Sequence, residues 1–476
     1  MNKLAKLDRA YVWHPFTQMR DWVRREPIVI TAGKGAVLWD VQGREYLDAN
    51  ASIWTNLHGH RHPHITGAIK RQLGKIAHSS ALGFANEPAS LLAERLVKAA
   101  NRKTPRAKDA QQPLSKVFFS DDGSTAVEVA LKLAYEVARR LGRTQKPRFL
   151  SLTGAYHGDT VGAVSVGHID LFHKAYDSLL FKSDAVMAPY CYRCPFNRAK
   201  PDRADAREYR KCNWECVGKV ERRVGAQRKK GNPYAAMVVE PLMQGAAGMI
   251  PQPEGWLRRV AEIVRADGAQ LIADEVMTGF ARTGQASASL FASHHEGVQP
   301  DFLCLAKGLT GGYLPMAATL TTQAVFDAFL GKYDEFKTFF HGHSYTGNQL
   351  GAAAAIASLD LLEKPENRRT RLQLEKTLRE ELKSLWSLPN VGDVRQVGLV
   401  AGIELVRDWR TREAFDVRER AGIRVCEAMA RRGVLTRPIG SVLLLVPPYC
   451  TTLKQIQRMV AAMRESIQEV FGRREA

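Results

Sequence analysis

Two short apolar runs in this chain each end in a residue able to do covalent or proton chemistry. Gln270-Leu271-Ile272-Ala273-Asp274-Glu275 reads as a buried strand that delivers a carboxylate. Asp301-Phe302-Leu303-Cys304-Leu305-Ala306-Lys307-Gly308 reads as a second strand, delivering a lysine ahead of Gly311 and Gly312. Charged residues seldom end a buried strand without a partner or a function. A lysine can hold an aldehyde as a Schiff base, and an aspartate can keep a pyridine nitrogen protonated. Lys307 and Asp274 together would make the ring of pyridoxal phosphate an electron sink. A buried Asp–Lys ion pair would explain two isolated residues equally well, so the surrounding motifs carry the weight.

A phosphate needs amides and hydroxyls. Val117 to Thr125 runs from a strand through Asp122 and Gly123 into a helix whose apolar face is Val127, Ala130, Leu131 and Ala134. Free amides of Gly123, Ser124 and Thr125 at that helix start, aided by the helix dipole, are expected to form an anion pocket. Gly154-Ala155-Tyr156-His157-Gly158-Asp159-Thr160 follows another strand, and its aromatic ring could stack on a pyridine face. Glu240 and Gln244 follow a third strand, where a carboxylate and an amide could bond the ring oxygen of a cofactor. His341-Gly342-His343-Ser344-Tyr345 offers hydrogen bonds to a phosphate; no carboxylate or third histidine is near to make it a metal site. Arg437, fixed by Pro438, suits two-pronged capture of a carboxylate.

The elements that must hold these residues follow a rhythm. From about 77 to 317, β-rich runs alternate with helical patterns, which indicates an α/β region around a largely parallel sheet. Strands are expected at Lys116–Ser120, Arg148–Leu152, Ala236–Glu240, Gln270–Asp274 and Phe302–Ala306. Open α/β sheets bind ligands at the carboxyl ends of such strands, where the candidates lie. The chain ends differ, with short strands near 36–48, 397–405 and 442–446 and helical patterns over 350–386 and 455–471. The expected organisation is a small α+β domain from 1–76 and 346–476, and a large domain over 77–345.

Residues 191–232 interrupt that rhythm with a polar, basic, proline-punctuated stretch, expected to be a surface excursion. It holds Cys191 and Cys194, then Cys212 and Cys216 after 17 further residues. Two close cysteine pairs resemble a structural zinc site, although the second pair has a three-residue gap. Four free thiols in a loop are the alternative.

Composition bounds the rest. With 476 residues, 45% hydrophobic and 25% charged, the chain is an ordinary globular one of more than one lobe. No run of 18 apolar residues occurs, so no membrane span is expected. The polar start and an odd count of seven cysteines point to reduced thiols in a cytoplasm. The net charge of +20 is spread over short clusters such as Arg228-Lys229-Lys230 without interleaved aromatics, which argues for a solvated surface rather than a nucleic-acid face.

With these residues assembled, the chain resembles the class III, fold-type I pyridoxal-phosphate aminotransferases over essentially its whole length. Within them it resembles the 7,8-diaminopelargonic acid aminotransferases of biotin synthesis. The matching stretches are Trp13 to Met19, Trp54 to Gly59, Asp122 to Ala130, Tyr156 to Thr160, Asp274 to Gly284, Lys307 to Gly312, His341 to Asn348 and Thr436 to Gly440.

The resemblance implies roles. Lys307 would hold the cofactor and shuttle the proton, Asp274 would pair with the pyridine nitrogen, and Tyr156 would stack on the ring. Gly123 and Ser124 would bind its phosphate, with His157, Glu240 and Gln244 as further cofactor contacts. His343 and Ser344 would reach the phosphate of a neighbouring subunit, which implies a homodimer. Phe16, Ile53, Trp54, Gly342 and Arg437 fall at substrate positions. Two departures bear on the amino donor: some members have tyrosine at the place of Phe16 and a tryptophan pair at Ile53-Trp54. S-adenosylmethionine is the usual donor, whereas 337–351 and 391–398 look more like a branch that uses lysine. Another class III aminotransferase, of the 4-aminobutyrate type with 2-oxoglutarate as acceptor, is the nearest alternative. A basic nucleic-acid-binding protein without catalysis is a more distant one.

Overall fold

The computed structural model describes residues 2–102, 112–284 and 289–472. Its centre is a seven-stranded sheet: β1 (Leu114–Ser120), β2 (Phe149–Leu152), β3 (Asp184–Val186), β4 (Ala236–Val239), β5 (Gln270–Asp274), β6 (Phe302–Leu305) and β7 (Ala317–Thr322). The spatial order is β1-β7-β6-β5-β4-β2-β3. Pairings from β6 through β3 are parallel, and β7 alone runs against both neighbours. The carboxyl ends of β1, β2, β4, β5 and β6 therefore share one edge.

The strands are apolar throughout because both faces of the sheet are covered. Alternation sorts the side chains. Phe149, Ala236, Val238, Ile272, Phe302 and Cys304 pack against the helix Gly123–Arg140. Leu150, Leu152, Met237, Val239 and Leu271 pack with the helices Glu215–Lys229 and Trp256–Ala266. Leu303, Leu305, Ala318 and Leu320 join a third cluster beneath the helices Glu87–Ala100 and Gln349–Glu363.

Both chain ends meet in one small sheet, since Val434–Leu435 pairs in parallel with Glu45–Asp48, beside Val37–Asp40 and Ile30–Lys34. A second small sheet joins Val391–Val397, Val400–Leu405, Val442–Leu445 and Pro438–Ile439. Among the described residues no helix is long and apolar enough to cross a membrane.

Two sequence expectations need correction. The helical pattern over 350–386 is not one helix: Lys364 is extended (ψ 126°) before Pro365, which starts a second helix, Pro365–Leu382. A residue preceding proline is driven out of the helical region. The excursion at 191–232 is also less loop-like than expected. Cys216, Val220 and Val224, four apart, form a narrow buried stripe on the helix Glu215–Lys229.

Candidate active site

At the shared strand edge lies a cleft of about 690 Å³ lined by Trp54, Asp121 to Ser124, Tyr156 to Thr160, Glu240, Asp274 and Lys307, among others. Asp274 is the last residue of β5, and Lys307 follows β6 after Ala306.

Lys307 is half-buried and stands in left-handed backbone (φ 43°), with its Nζ 4.6 Å from the centroid of the Trp54 ring. Burial lowers the pKa of its amine, and the carboxylates of Asp274 and Glu240 only partly restore it. It makes no ion pair among the described residues. An uncharged amine is the form that attacks a carbonyl carbon.

Asp274 Oδ1 accepts from the Val276 amide at 3.1 Å, and Oδ2 lies 2.7 Å from His157 Nδ1. Burial opposes a charge on His157, but the bond and field of Asp274 outweigh it and raise its pKa. His157 Nε2 is buried without a partner. Glu240 accepts from the amides of Gly245 at 2.7 Å and Tyr156 at 3.4 Å, and burial pushes its carboxyl up to about 7. Gln244 donates to the Thr153 carbonyl at 3.1 Å, leaving its buried Oε1 unpartnered. Tyr156 donates to Asp159 Oδ2 at 2.7 Å; burial and that carboxylate raise its pKa.

The anion pocket is narrower than expected. Asp122 and Thr125 form a capping box, in which the Thr125 amide donates to Asp122 Oδ1 at 2.9 Å. The Thr125 hydroxyl is held by the Asp121 and Asp122 amides, so Thr125 is not available to a ligand. The amides of Gly123 and Ser124 remain at the cleft. Ser124 Oγ binds the Thr160 amide at 2.9 Å and hydroxyl at 2.8 Å. This closeness requires glycine at 158 (φ 123°), where a Cβ would stand 2.3 Å from Ser124 Oγ.

These groups fit pyridoxal phosphate. Two amides at a helix start border the cleft, a carboxylate ends β5, and an amine whose charge burial disfavours follows the neighbouring strand β6. The partnerless polar atoms of His157 and Gln244 point to ligand or water partners in the same buried site.

The other candidates sit around this cleft. Phe16 touches it through Tyr156, with ring centroids 6.5 Å apart. Ile53 is exposed and does not line it, whereas Trp54 does. His343 pairs with Asp121 on the rim at 3.3 Å, while Gly342 and Ser344 are exposed outside it. Arg437 is exposed, with no ion pair among the described residues. It precedes Pro438–Ile439, and the partner strand's Val442 and Leu444 pack with the cleft residues Trp54 and Met277. The four cysteines line one small cavity elsewhere, although among the described residues no metal-holding group of three or more His, Cys, Asp or Glu is formed.

Three features escape sequence reasoning. Asp159 holds the Tyr156 hydroxyl, and Glu128 accepts from the Thr160 hydroxyl at 2.6 Å and the Gly162 amide at 2.7 Å. Ala51 to Trp54 form a left-handed turn (φ 44°, 48°, 65° and 66°), held by Asp48 on Ser52 and by Asn50 on the Trp54 indole at 3.0 Å. Spacing within Asp159-Thr160 offered a faint signal for the first; the turn has none.

The chain's relatives agree with this geometry. A family profile described as "Aminotransferase class-III" matches residues 19–467. An adenosylmethionine-8-amino-7-oxononanoate aminotransferase of Geobacter sulfurreducens is 48% identical over 469 residues, 98% of each chain. One of the same name from Staphylococcus aureus is 38% identical, covering 99% of each. The crystal structure of that enzyme from Methanocaldococcus jannaschii superposes with a TM-score of 0.87 at 40% identity, covering 98% of each chain. A Pseudomonas jessenii omega transaminase in complex with PMP has the same TM-score of 0.87 at 26% identity, covering 98% of each. With a strand-end lysine and aspartate in one cleft and kinship over its full length, the chain belongs to the class III aminotransferases, pyridoxal-phosphate-dependent enzymes of fold type I.

Proposed function

We propose that this chain transfers an amino group to the C7 ketone of 8-amino-7-oxononanoate, giving 7,8-diaminononanoate for biotin synthesis, with S-adenosylmethionine or L-lysine as donor. The observation that carries the reading is the Lys307 amine, its charge disfavoured by desolvation, in one cleft with the Asp274–His157 pair. The acceptor is the one in the relatives' names.

Bound pyridoxal phosphate supplies an aldehyde that takes up amino nitrogen and a ring that spreads the electron pair left when a proton departs. Lys307 provides the amine that anchors it and, once freed, moves the proton at its Nζ as base and then acid. Asp274, steadied by His157 at 2.7 Å, would keep the ring nitrogen protonated. Gly123 and Ser124 would hold the phosphate, and Tyr156, His157, Glu240 and Gln244 would hold the ring. Trp54 lies against the Lys307 amine. Arg437, cationic and unpaired, receives the acceptor carboxylate.

The same reading makes the protein a cytoplasmic homodimer. Leu82 and Phe84 (88% and 73% exposed) lie on the segment that His78 and Asn86 tie to the 344–347 loop, which carries the exposed Tyr345 (61%) and follows the exposed Phe340 (71%). An apolar face of this kind suits burial against a second copy, and it would carry Gly342, His343 and Ser344 toward the partner's cleft.

The test is a donor panel with 8-amino-7-oxononanoate, read as diamine product. Product with S-adenosylmethionine or lysine supports the assignment. Turnover confined to 4-aminobutyrate with 2-oxoglutarate would move the chain to another branch of the family. In single-turnover mixing, Arg437→Ala should weaken the acceptor step through loss of a charged hydrogen bond of about 1.5–3 kcal/mol, leaving the donor-driven spectral change of bound cofactor nearly intact. Equal slowing of both steps would remove Arg437 from the acceptor site.

A further inference from the structure

Cys191, Cys194, Cys212 and Cys216 come from two separate stretches, yet all line one cavity of about 20 Å³. That volume is near the size of one water-sized sphere. The turn Cys191–Arg193 is fastened to the second stretch by Asn197, whose side chain donates to the Cys191 carbonyl at 3.0 Å and accepts from the Lys211 amide at 2.9 Å. Cys216 lies in the first turn of the helix Glu215–Lys229. Apolar packing explains two of the four: Cys216 joins the cluster with Val220 and Trp256, and Cys191 joins Tyr192 and Ala206. Cys194 and Cys212 are half-exposed and belong to neither cluster.

We propose that these four cysteines bind one zinc-class divalent cation in a tetrathiolate site separate from the catalytic cleft. None of the four lines that cleft. The sulfurs do not stand in coordination geometry as they are, and Arg210 Nη1 donates to Cys212 Sγ at 3.1 Å. Loading therefore requires Arg210 to swing out and the sulfurs to close in. Each thiol releases its proton to solvent, so up to four protons leave per cation; no electron moves and no oxidant is needed. The bound ion would clamp the excursion to the sheet through the helix that starts at Glu215.

The experiment uses full-length holoenzyme from zinc-supplemented cells, with metal measured by mass spectrometry. The expected result is about one zinc per chain. The double variant Cys194→Ser/Cys212→Ser should lose it at least ~tenfold while keeping the absorbance of bound cofactor and its turnover. Those half-exposed positions leave the core intact, and the retained absorbance reports folding. Independently, wild-type protein stripped and reloaded with cobalt should show a sulfur-to-cobalt band in the near ultraviolet. Zinc that stays below about one tenth per chain after incubation with the ion, or equal content in the double variant, overturns the site. A mass lower by two hydrogens per bridge in zinc-free protein assigns the thiols to disulfides and overturns it as well.

Discussion

Lys307 and Glu240 are tuned by the same burial in opposite senses. Desolvation favours the neutral amine on one and the neutral acid on the other, as it must for groups of opposite charge. Replacing Lys307 by Ala removes both anchor and proton carrier, so the visible absorbance of bound cofactor and all turnover should vanish. Normal turnover in that variant would refute the assignment at its centre. Glu240 allows a sharper test on cofactor-free protein. Its carboxyl rises from 4.5 to about 7 in the fold. A raised acid contributes stability that is full below about pH 4.5 and is lost as pH climbs through about 7. Glu240→Gln stays neutral and still accepts from the Gly245 amide. Its stability relative to wild type should therefore improve between pH 5 and pH 8, by on the order of 2–3 kcal/mol at most. Denaturant unfolding at the two values measures this, and a difference that is flat or reversed would mean Glu240 is charged throughout.

Among elements, the least expected is the turn Ala51–Trp54, where four consecutive non-glycine residues hold positive φ. Left-handed backbone costs an L-residue roughly 1–2 kcal/mol, most for a β-branched one. The turn persists because Asp48 accepts from the Ser52 amide at 3.1 Å and hydroxyl at 3.0 Å, and it sets Trp54 over Lys307. Asn tolerates this backbone far better than Ile, and Ile53 is 46% exposed, so little packing is lost. Ile53→Asn should therefore raise stability by about 0.5–1 kcal/mol, where an Ile-to-Asn change ordinarily lowers it. A loss above ~1 kcal/mol in urea unfolding would show that the turn carries no such strain. This element was invisible in Ala-Ser-Ile-Trp, since only tertiary bonds from Asp48 and Asn50 impose it. The parallel strands were legible for the opposite reason. Sheets covered on both faces leave continuous apolar runs, and the polar residue ending each run marks the ligand edge. Lys307, Asp274, Glu240 and Tyr156 were readable on that ground. Glu128 was not, because its bonds to Thr160 and Gly162 are fixed only when helix and loop meet, and Asp159, three residues from Tyr156, gave only a faint signal. Thr125 misled for a related cause: Asp122 three residues earlier takes its amide.

For the whole molecule, the question is whether one chain makes a complete site. Gly342 and Ser344 are exposed outside the cleft, on a loop that carries the exposed apolar residues Phe340 and Tyr345. If these residues are buried in a twofold dimer, the loop of each chain serves the cleft of the other. Sedimentation should then give a dimer. Complementation is the stricter test, because it asks about chemistry. Lys307→Ala destroys a chain's own cleft but leaves its loop intact. Ser344→Ala, exposed outside that chain's cleft, leaves the His343–Asp121 pair on its own rim in place and damages only what the loop lends to its partner. When the two variants are co-expressed, half the dimers are mixed. In each mixed dimer one cleft collects both defects, while the other has Lys307 on its own chain and an intact loop from its neighbour. Activity should therefore return to about one quarter of wild type per chain, from two parents far weaker. Should the loop act within its own chain, the mixed dimer holds one lysine-less cleft and one loop-damaged cleft. Activity would then stay at the mean of the two parents, and the shared site would be excluded.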